Sequence, residues 1–223
     1  MSTFRHAGVT ARSLTPCQRK TERRFRIATD FRVTQMLKHP SPCEFHSLAE
    51  YYHAALLEGD PTVERFVPQP FLLEIGRQRR RYVPDVYVVR DGQVEILELR
   101  PDARFDEHQR TAVQAFCQNH RMRFKVISNQ AVLSRRTLAD NWLLIIQILL
   151  SHRSLDTTHW EMVLLDEISR RGEIRLGDVV IRNHREASRT QEIALLRLLH
   201  RGLLMADLTD RRLAYDTEVR LCD

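Results

Sequence analysis

Cysteine is scarce in this chain and is not spaced to bind a metal. Its four cysteines, Cys17, Cys43, Cys117 and Cys222, lie far apart among 223 residues, with no CxxC pair and no Cys/His ligand spacing. A structural zinc site is therefore not expected. Scattered thiols in a chain of this size also predict a reducing compartment, the cytoplasm.

Long apolar runs are lacking as well. The longest, residues 142–150, contains Gln147 and is too short to cross a bilayer. Residues 1–30 carry too many charges for a signal peptide. The sequence therefore predicts no membrane partner. Hydrophobic residues nevertheless make up 43% of the chain, which is enough for a packed core.

Acidic residues are rare in the first 38 positions. This segment has nine basic residues against Glu22 and Asp30, a net charge of +7, whereas the whole chain carries +6 and the remainder is close to neutral. A basic arm on a nearly neutral body indicates a polyanionic partner, with nucleic acid as the first candidate. A solvated terminus without a partner is the alternative.

The most informative stretch is residues 81–100, RYVPDVYVVRDGQVEILELR. β-Branched and aromatic residues predict strands over residues 82–90 and 93–99. Asp91-Gly92 between them predicts a two-residue type I′ turn, because both central positions of that turn need positive φ. Such a turn pairs Arg90 with Gln93.

That register has a chemical consequence. It sets Asp85 opposite Glu98, and the alternation of side chains along a strand adds Arg100 to the same face. Like charges directly opposite each other destabilise a sheet, and a bound Mg²⁺ would remove the conflict. The alternative is that Asp85 faces solvent at a strand start and that Glu98 and Arg100 form a surface ion pair.

Other elements follow from periodicity and breakers. Ser47 and Glu50 form a candidate capping box at the start of a helix that ends at Gly59. Further predicted elements are strands 63–67 and 71–75, a helix over 105–120, a strand over 123–127 and a helix from about 132 to 152.

The last 70 residues have a different pattern. They predict a helix ended by Gly172, a short helix over 176–181, a third helix from a Ser188 capping box to His200, and a hairpin over 203–208 and 212–219 that turns at Thr209-Asp210. This order resembles a winged helix-turn-helix domain, with Arg189 and Arg197 on the helix that would enter a major groove. Protein docking is the other use of such a domain, and the near-neutral charge favours it.

Two resemblances carry the functional hypothesis. Pro84-Asp85 followed by Glu98-Leu99-Arg100 resembles the PD-(D/E)xK pattern of restriction-endonuclease-like nucleases, with Arg where Lys is usual. In addition, the ordered segments FHSLAE ending at Glu50, LLEGDP, VERFVPQP and RYVPD resemble the TnsA family of transposon endonuclease subunits.

The resemblance implies an α/β fold with a restriction-endonuclease-like mixed-sheet core, followed by a small winged-helix domain. It implies that Glu50 joins Asp85 and Glu98 as ligands of Mg²⁺, with Mn²⁺ as a substitute. Arg100, the fourth catalytic residue, would occupy the lysine position. An arginine there stabilises charge but does not act as a base, because its guanidinium stays protonated.

The implied activity is nicking of the 5′ strand at transposon ends in double-stranded DNA. A DDE-type transposase and an AAA+ ATPase regulator are the implied protein partners. The expected organisation is a basic arm (residues 1–38), a catalytic domain (39–153) and a winged-helix domain (154–223). An inert nuclease-fold scaffold and a winged-helix regulator are the alternatives.

Overall fold

A computed structural model of the chain describes residues 3–19 and 30–222. Two compact units divide it, one within residues 1–57 and 62–134 and the other within 58–61 and 135–223. Helices and several sheets are present in the chain, so the predicted α/β class is confirmed. The predicted domain boundaries remain a prediction. Within the described residues, no helix combines the length and apolar character that a membrane crossing requires.

The first unit contains three helices and ten strands among its described residues. The helices are α1 (Leu48–Glu58, whose last residue belongs to the second unit), α2 (Glu107–Asn119) and α3 (Asn129–Leu133). The strands are β1 (Phe4–His6), β2 (Val9–Ala11), β3 (Arg32–Thr34), β4 (Cys43–Phe45), β5 (Val63–Pro68), β6 (Leu73–Ile75), β7 (Arg80–Tyr82), β8 (Val86–Arg90), β9 (Gln93–Arg100) and β10 (Met122–Ser128).

The central sheet of this unit has the strand order β10-β9-β8-β5. Strands β5, β8 and β9 are antiparallel neighbours, whereas β10 runs parallel to β9. A parallel neighbour needs a long crossover, and helix α2 supplies it between β9 and β10. The N-cap of α2 is Asp106, whose side chain accepts from the Gln109 N–H at 2.8 Å.

The predicted β8–β9 hairpin is confirmed. Asp91 and Gly92 have φ values of 46° and 71°, as a type I′ turn requires, and Arg90 pairs with Gln93. The first arm is shorter than predicted, because Tyr82 pairs with Leu73 in a different sheet. The predicted strand 82–90 was therefore wrong over its first residues, and β8 begins only after the Val83-Pro84-Asp85 break.

The beginning of the predicted basic arm is folded onto this unit. Strands β1 and β2 pair with β6 and β7 in a second sheet of order β1-β2-β6-β7. Val9 and Ala11 are almost fully buried in the hydrophobic core, together with residues of α2 and the central sheet. Residues 20–29, which hold many of the arm's charges, lie outside the described part of the chain.

The second unit contains the remaining elements. They are α4 (Arg136–Ser151), α5 (Thr158–Arg171), β11 (Glu173–Arg175), α6 (Leu176–Val179), a 3₁₀ turn (Arg182–His184), α7 (Arg189–His200), β12 (Leu204–Ala206) and β13 (Glu218–Leu221). The three strands form an antiparallel sheet of order β11-β13-β12. The predicted helix 132–152 is interrupted at Ser134, whose hydroxyl donates to the Ala131 carbonyl and closes α3.

Two local predictions for this unit were wrong. Ser188 does not cap α7 with its side chain, since its hydroxyl accepts from the Ile181 N–H at 3.0 Å instead. The predicted tight turn at Thr209-Asp210 is part of a longer connection between β12 and β13. Asn141 of α4 holds that connection through the carbonyls of residues 208 and 211 and the N–H of residue 213.

Candidate active site

Asp85 and Glu98 are brought together at the end of the β8–β9 pair. The paired register runs to Val86 opposite Leu97, so Asp85 stands level with Glu98 one residue further on. The Leu99 N–H donates to Asp85 Oδ2 at 2.7 Å, which ties this carboxylate to the strand that carries Glu98. The register predicted from the turn therefore holds at the candidate site.

Glu98 is a buried carboxylate with both oxygens engaged. Its side chain is 2% exposed, the Tyr82 hydroxyl donates to Oε2 at 2.5 Å, and Arg100 Nη2 forms an ion pair with Oε1. The ion pair between Glu98 and Arg100 that the alternative predicted is present, but it is not an ordinary surface pair, because only Arg100 reaches solvent. A buried carboxylate needs partners of this kind to stay ionised.

Glu50 lies in the first turn of α1, and hydrogen bonds hold both oxygens of its side chain. Oε2 accepts from the His46 N–H at 3.1 Å and from Gln69 Nε2 at 2.9 Å, while the Ser47 hydroxyl donates to Oε1 at 3.0 Å. The Glu50 N–H in turn donates to the Ser47 hydroxyl at 3.2 Å. The predicted Ser47–Glu50 capping contact is confirmed. The Glu50 carboxylate also reaches outside the cap to Gln69.

The electrostatics of Glu50, Asp85 and Glu98 are linked. Burial raises the pKa of all three carboxyls, most strongly for Asp85 and Glu98. The charge of Glu50 further raises the pKa of Asp85, and the charge of Asp85 raises that of Glu98. Burial and the Glu98 charge also raise the pKa of Tyr82, so its hydroxyl stays protonated and donates. The three predicted carboxylates therefore interact electrostatically, and we refer to Glu50, Asp85 and Glu98 as the carboxylate cluster.

Arg100 is held against an aromatic ring. Its guanidinium carbon lies 5.2 Å from the centroid of Phe105, and Phe105 in turn packs near Tyr82 and Phe124, with 5.7 Å between centroids in each case. Among the described residues, the buried Nε atom of Arg100 has no hydrogen-bond partner. The side chain is 41% exposed, so its guanidinium contacts both the buried Glu98 carboxylate and solvent.

Three residues important to this site were not predicted. Tyr82 supports Glu98, Gln69 supports Glu50, and Phe105 supports Arg100. Tyr82 and Gln69 stand inside the Tyr-x-Pro-Asp and Gln-Pro segments, so their positions were visible although their contacts were not. Phe105 was predicted only as a residue of the helix over 105–120, and nothing in its spacing indicated a contact with Arg100.

The side chains present match part of the requirements of a Mg²⁺ site. Carboxylate oxygens are hard ligands, and Oδ1 of Asp85 has no hydrogen-bond partner within the described residues. Over the same residues, no three His, Cys, Asp or Glu side chains converge closely enough to form a complete metal site. Mg²⁺ commonly takes one or two carboxylates and completes its shell with water and phosphate oxygens, so Asp85 and Glu98 fit as a partial shell.

In the second unit, the arginines predicted to read a DNA groove are engaged elsewhere. Arg189 pairs with Glu186 and Glu192, at 3.1 and 2.8 Å. Arg197 donates to Thr157 Oγ1 and to main-chain carbonyls at the end of α4 and in the segment before α5. No residue of α7 is exposed, so this helix is the centre of the unit and not a free recognition helix.

Comparison of the chain with protein-family models gives no matching family. Comparison with curated proteins likewise gives no matching relative.

Proposed function

We propose that this chain is a metal-dependent DNA endonuclease subunit of the TnsA type, which nicks the 5′ strand at transposon ends. The observation that carries the proposal is the set of three interacting carboxylates, buried Glu50 and Glu98 and half-buried Asp85, with Arg100 beside Glu98. Like charges under burial oppose folding, and a bound cation in the working state would relieve that conflict.

The order of elements supports the proposal. Helix α1, three antiparallel strands, the crossover helix α2 and the parallel strand β10 follow the order expected of a restriction-endonuclease-like core. In the second unit, the order α5-β11-α6-α7-β12-β13 with a three-stranded sheet is the order of a winged helix. The burial of α7 favours protein docking by that unit, with the ATPase regulator as the partner that the resemblance implies.

Each site residue has a distinct role in the proposed hydrolysis. A Mg²⁺ ion held there would lower the pKa of a bound water and would neutralise charge on the phosphate. Asp85 and Glu98 would hold the cation as a partial shell, Glu50 is the further ligand that the resemblance implies, and protonated Tyr82 fixes the orientation of Glu98. Arg100 donates hydrogen bonds to the phosphoryl oxygens as negative charge develops there, without taking a proton.

A second candidate function has one observation in its favour. The ion pair between Arg100 and Glu98 engages an oxygen that would otherwise face a metal. If that pair persists on DNA, the chain is an inert scaffold that keeps the nuclease fold to organise the transposition complex. A winged-helix regulator is less consistent with the fold, because Arg189 and Arg197 are both engaged within the second unit.

Metal-induced stabilisation tests the proposal. At a Mn²⁺ or Mg²⁺ concentration about 100-fold above Kd, the free energy of unfolding should rise by about 2.7 kcal/mol, because the metal binds the folded state. The double variant Asp85→Asn/Glu98→Gln should not show this rise. Asp166→Asn/Glu167→Gln, which removes two exposed carboxylates of α5, is the matched control and should keep it. An equal response in all three proteins would contradict the metal site.

A further inference from the structure

Gln69 is a buried residue in a backbone conformation that glutamine rarely adopts. Its φ is 41°, in the left-handed region, and the residue is 7% exposed. A side chain beyond glycine is strained at positive φ and persists there only where the surroundings hold it. A glycine at this position would form the same turn between Pro68 and Pro70 without that strain.

Hydrogen bonds to two residues of the candidate site hold Gln69 in this conformation. Its backbone N–H donates to the Asp85 carbonyl at 2.8 Å, and its side-chain Nε2 donates to Glu50 Oε2 at 2.9 Å. Glu50 belongs to α1 and Asp85 to the segment before β8. Gln69 therefore connects two residues of the site that come from different elements.

A second glutamine sets the orientation of the Gln69 amide. Gln18 Nε2 donates to Gln69 Oε1 at 2.8 Å and to the Glu44 carbonyl at 2.7 Å, while Gln18 Oε1 accepts from the Glu44 N–H at 3.1 Å. Because Gln69 Oε1 accepts from Gln18, its NH₂ group is directed at Glu50. The Gln69 carbonyl also accepts from the Arg19 N–H at 3.1 Å.

We infer that Gln69 is a positioning residue of the catalytic site, which holds the Glu50 carboxylate toward Asp85 and links both to the segment that carries Gln18. The inference rests on the proposed metal-dependent function and deepens it. A residue that only formed the turn would be served better by glycine. The strained glutamine instead provides an amide donor for Glu50 and an acceptor for Gln18, both aligned by one left-handed residue.

The test distinguishes a role of Gln69 in forming the turn from a role in holding the Glu50 carboxylate. Gln69→Gly relieves the strain but removes the amide, whereas Gln69→Met keeps a side chain of similar length at the same φ without its hydrogen bonds. Arg79→Gly is the matched control, since Arg79 has a φ of 51°, is exposed and makes no contact with the site. Mn²⁺ affinity is measured for each protein by calorimetry, with the urea midpoint of the metal-free protein as the second readout.

We expect Gln69→Gly and Gln69→Met to bind Mn²⁺ about 10- to 100-fold more weakly, the range for removal of a group that orients a metal ligand. Gln69→Gly should keep a urea midpoint at or above that of Gln69→Met, and Arg79→Gly should bind Mn²⁺ as wild type does. Gln18→Ala should lower the affinity in the same direction, because it frees the Gln69 amide to rotate.

The outcomes are distinguishable. Wild-type Mn²⁺ affinity in both Gln69 variants would overturn the positioning role and leave the metal site intact. A wild-type protein that binds no Mn²⁺ would overturn the proposed function, and this inference with it. A double-mutant cycle of Gln69→Met with Glu50→Gln in metal-free protein adds a direct measure of the interaction between the two side chains. Additive decreases in stability in that cycle would contradict the interaction.

Discussion

Burial is the largest cause of the raised pKa values of Asp85 and Glu98. The sequence predicted their register, because a two-residue Asp-Gly turn sets which residues of two strands are opposite each other. It did not predict that Tyr82 would pair in another sheet and send its hydroxyl to Glu98. That hydrogen bond depends on residues far apart along the chain, which local patterns do not report.

The raised pKa values predict how stability depends on pH. Burial, together with the charge of a neighbouring carboxylate, raises the pKa of Asp85 and of Glu98 to about 7 in the folded protein, from 3.8 and 4.5 in the unfolded chain. Between about pH 4 and pH 7 the folded state therefore holds more protons than the unfolded state, and stability falls as pH rises through this window. Because the two carboxyls are coupled and repel each other, the folded pair is expected to hold one proton in this window, so urea unfolding in EDTA should show a decrease of roughly 2 to 3 kcal/mol between pH 5 and pH 8.

A variant isolates this effect from other titrating groups. Asp85→Asn/Glu98→Gln should remove most of the slope, since neither amide takes up a proton. Mg²⁺ should raise the free energy of unfolding of the wild-type protein more at pH 8 than at pH 5, because metal and protons compete for the same oxygens. A slope that is the same in wild type and variant would contradict the assignment.

Arg100 is the residue at which the enzyme and scaffold hypotheses diverge. Its packing on Phe105 suits a planar guanidinium better than an ammonium. Its ion pair with Glu98, on the other hand, competes with a cation for the same carboxylate. Sequence identified the substitution of Arg for the usual Lys, but both interactions became visible only in the folded chain.

At the scale of elements, turn chemistry was predicted well where it was local. The Asp91-Gly92 hairpin formed as expected, whereas the turn at Thr209-Asp210 did not. The difference is Asn141, which bonds the backbone of the connection between β12 and β13 from a helix far away in sequence. Strands β1 and β2 went unpredicted for a similar reason, since β2 pairs with β6 across a long separation in the chain.

Helix α7 provides a prediction at this scale. Arg197 should stabilise the second unit, because its guanidinium satisfies carbonyls between α4 and α5. Arg197→Ala should lower the free energy of unfolding by about 2 kcal/mol, since those acceptors no longer have their donor. DNA affinity per folded molecule should stay at the wild-type value in a filter-binding or anisotropy measurement.

The control for Arg197 is Arg201→Ala. Arg201 forms a half-exposed ion pair with Glu161, so its removal should cost less than about 1 kcal/mol. A marked drop in DNA affinity in Arg197→Ala at unchanged stability would instead assign α7 to DNA recognition.

For the whole molecule, the basic N-terminal segment has a structural role in addition to the DNA-binding role predicted for it. Its beginning contributes buried residues to the core, so deletion of residues 1–38 would disturb the fold as well as remove charge. The composition of the segment predicted its positive charge. It did not predict the short strands β1 and β2, which lie among polar and basic residues. A test of DNA binding therefore needs substitutions and not a truncation.

Neutralising the segment should weaken DNA binding. Arg23→Gln/Arg24→Gln/Arg26→Gln should lower the slope of log K against log salt by a little under about one for each DNA phosphate that the variant no longer neutralises. The control, Arg170→Gln/Arg171→Gln, removes arginines that are already paired with acidic residues on α5 and should leave the slope near its wild-type value. An unchanged slope in the triple variant would show that the segment does not bind DNA.

We propose that the carboxylate cluster cuts one strand of DNA, and strand-resolved mapping of nicks is the direct test. The reaction needs the partner transposase, the ATPase, donor DNA with both transposon ends, and Mg²⁺ or Mn²⁺. The wild-type chain should give 5′-strand nicks, whereas Glu50→Gln, Asp85→Asn or Glu98→Gln should leave only 3′-strand cuts. Arg100→Lys should keep or increase the 5′ nick, and Arg100→Ala should reduce it. A wild-type complex that makes only 3′-strand cuts, with no 5′ nick from Arg100→Lys, would contradict the proposed endonuclease activity.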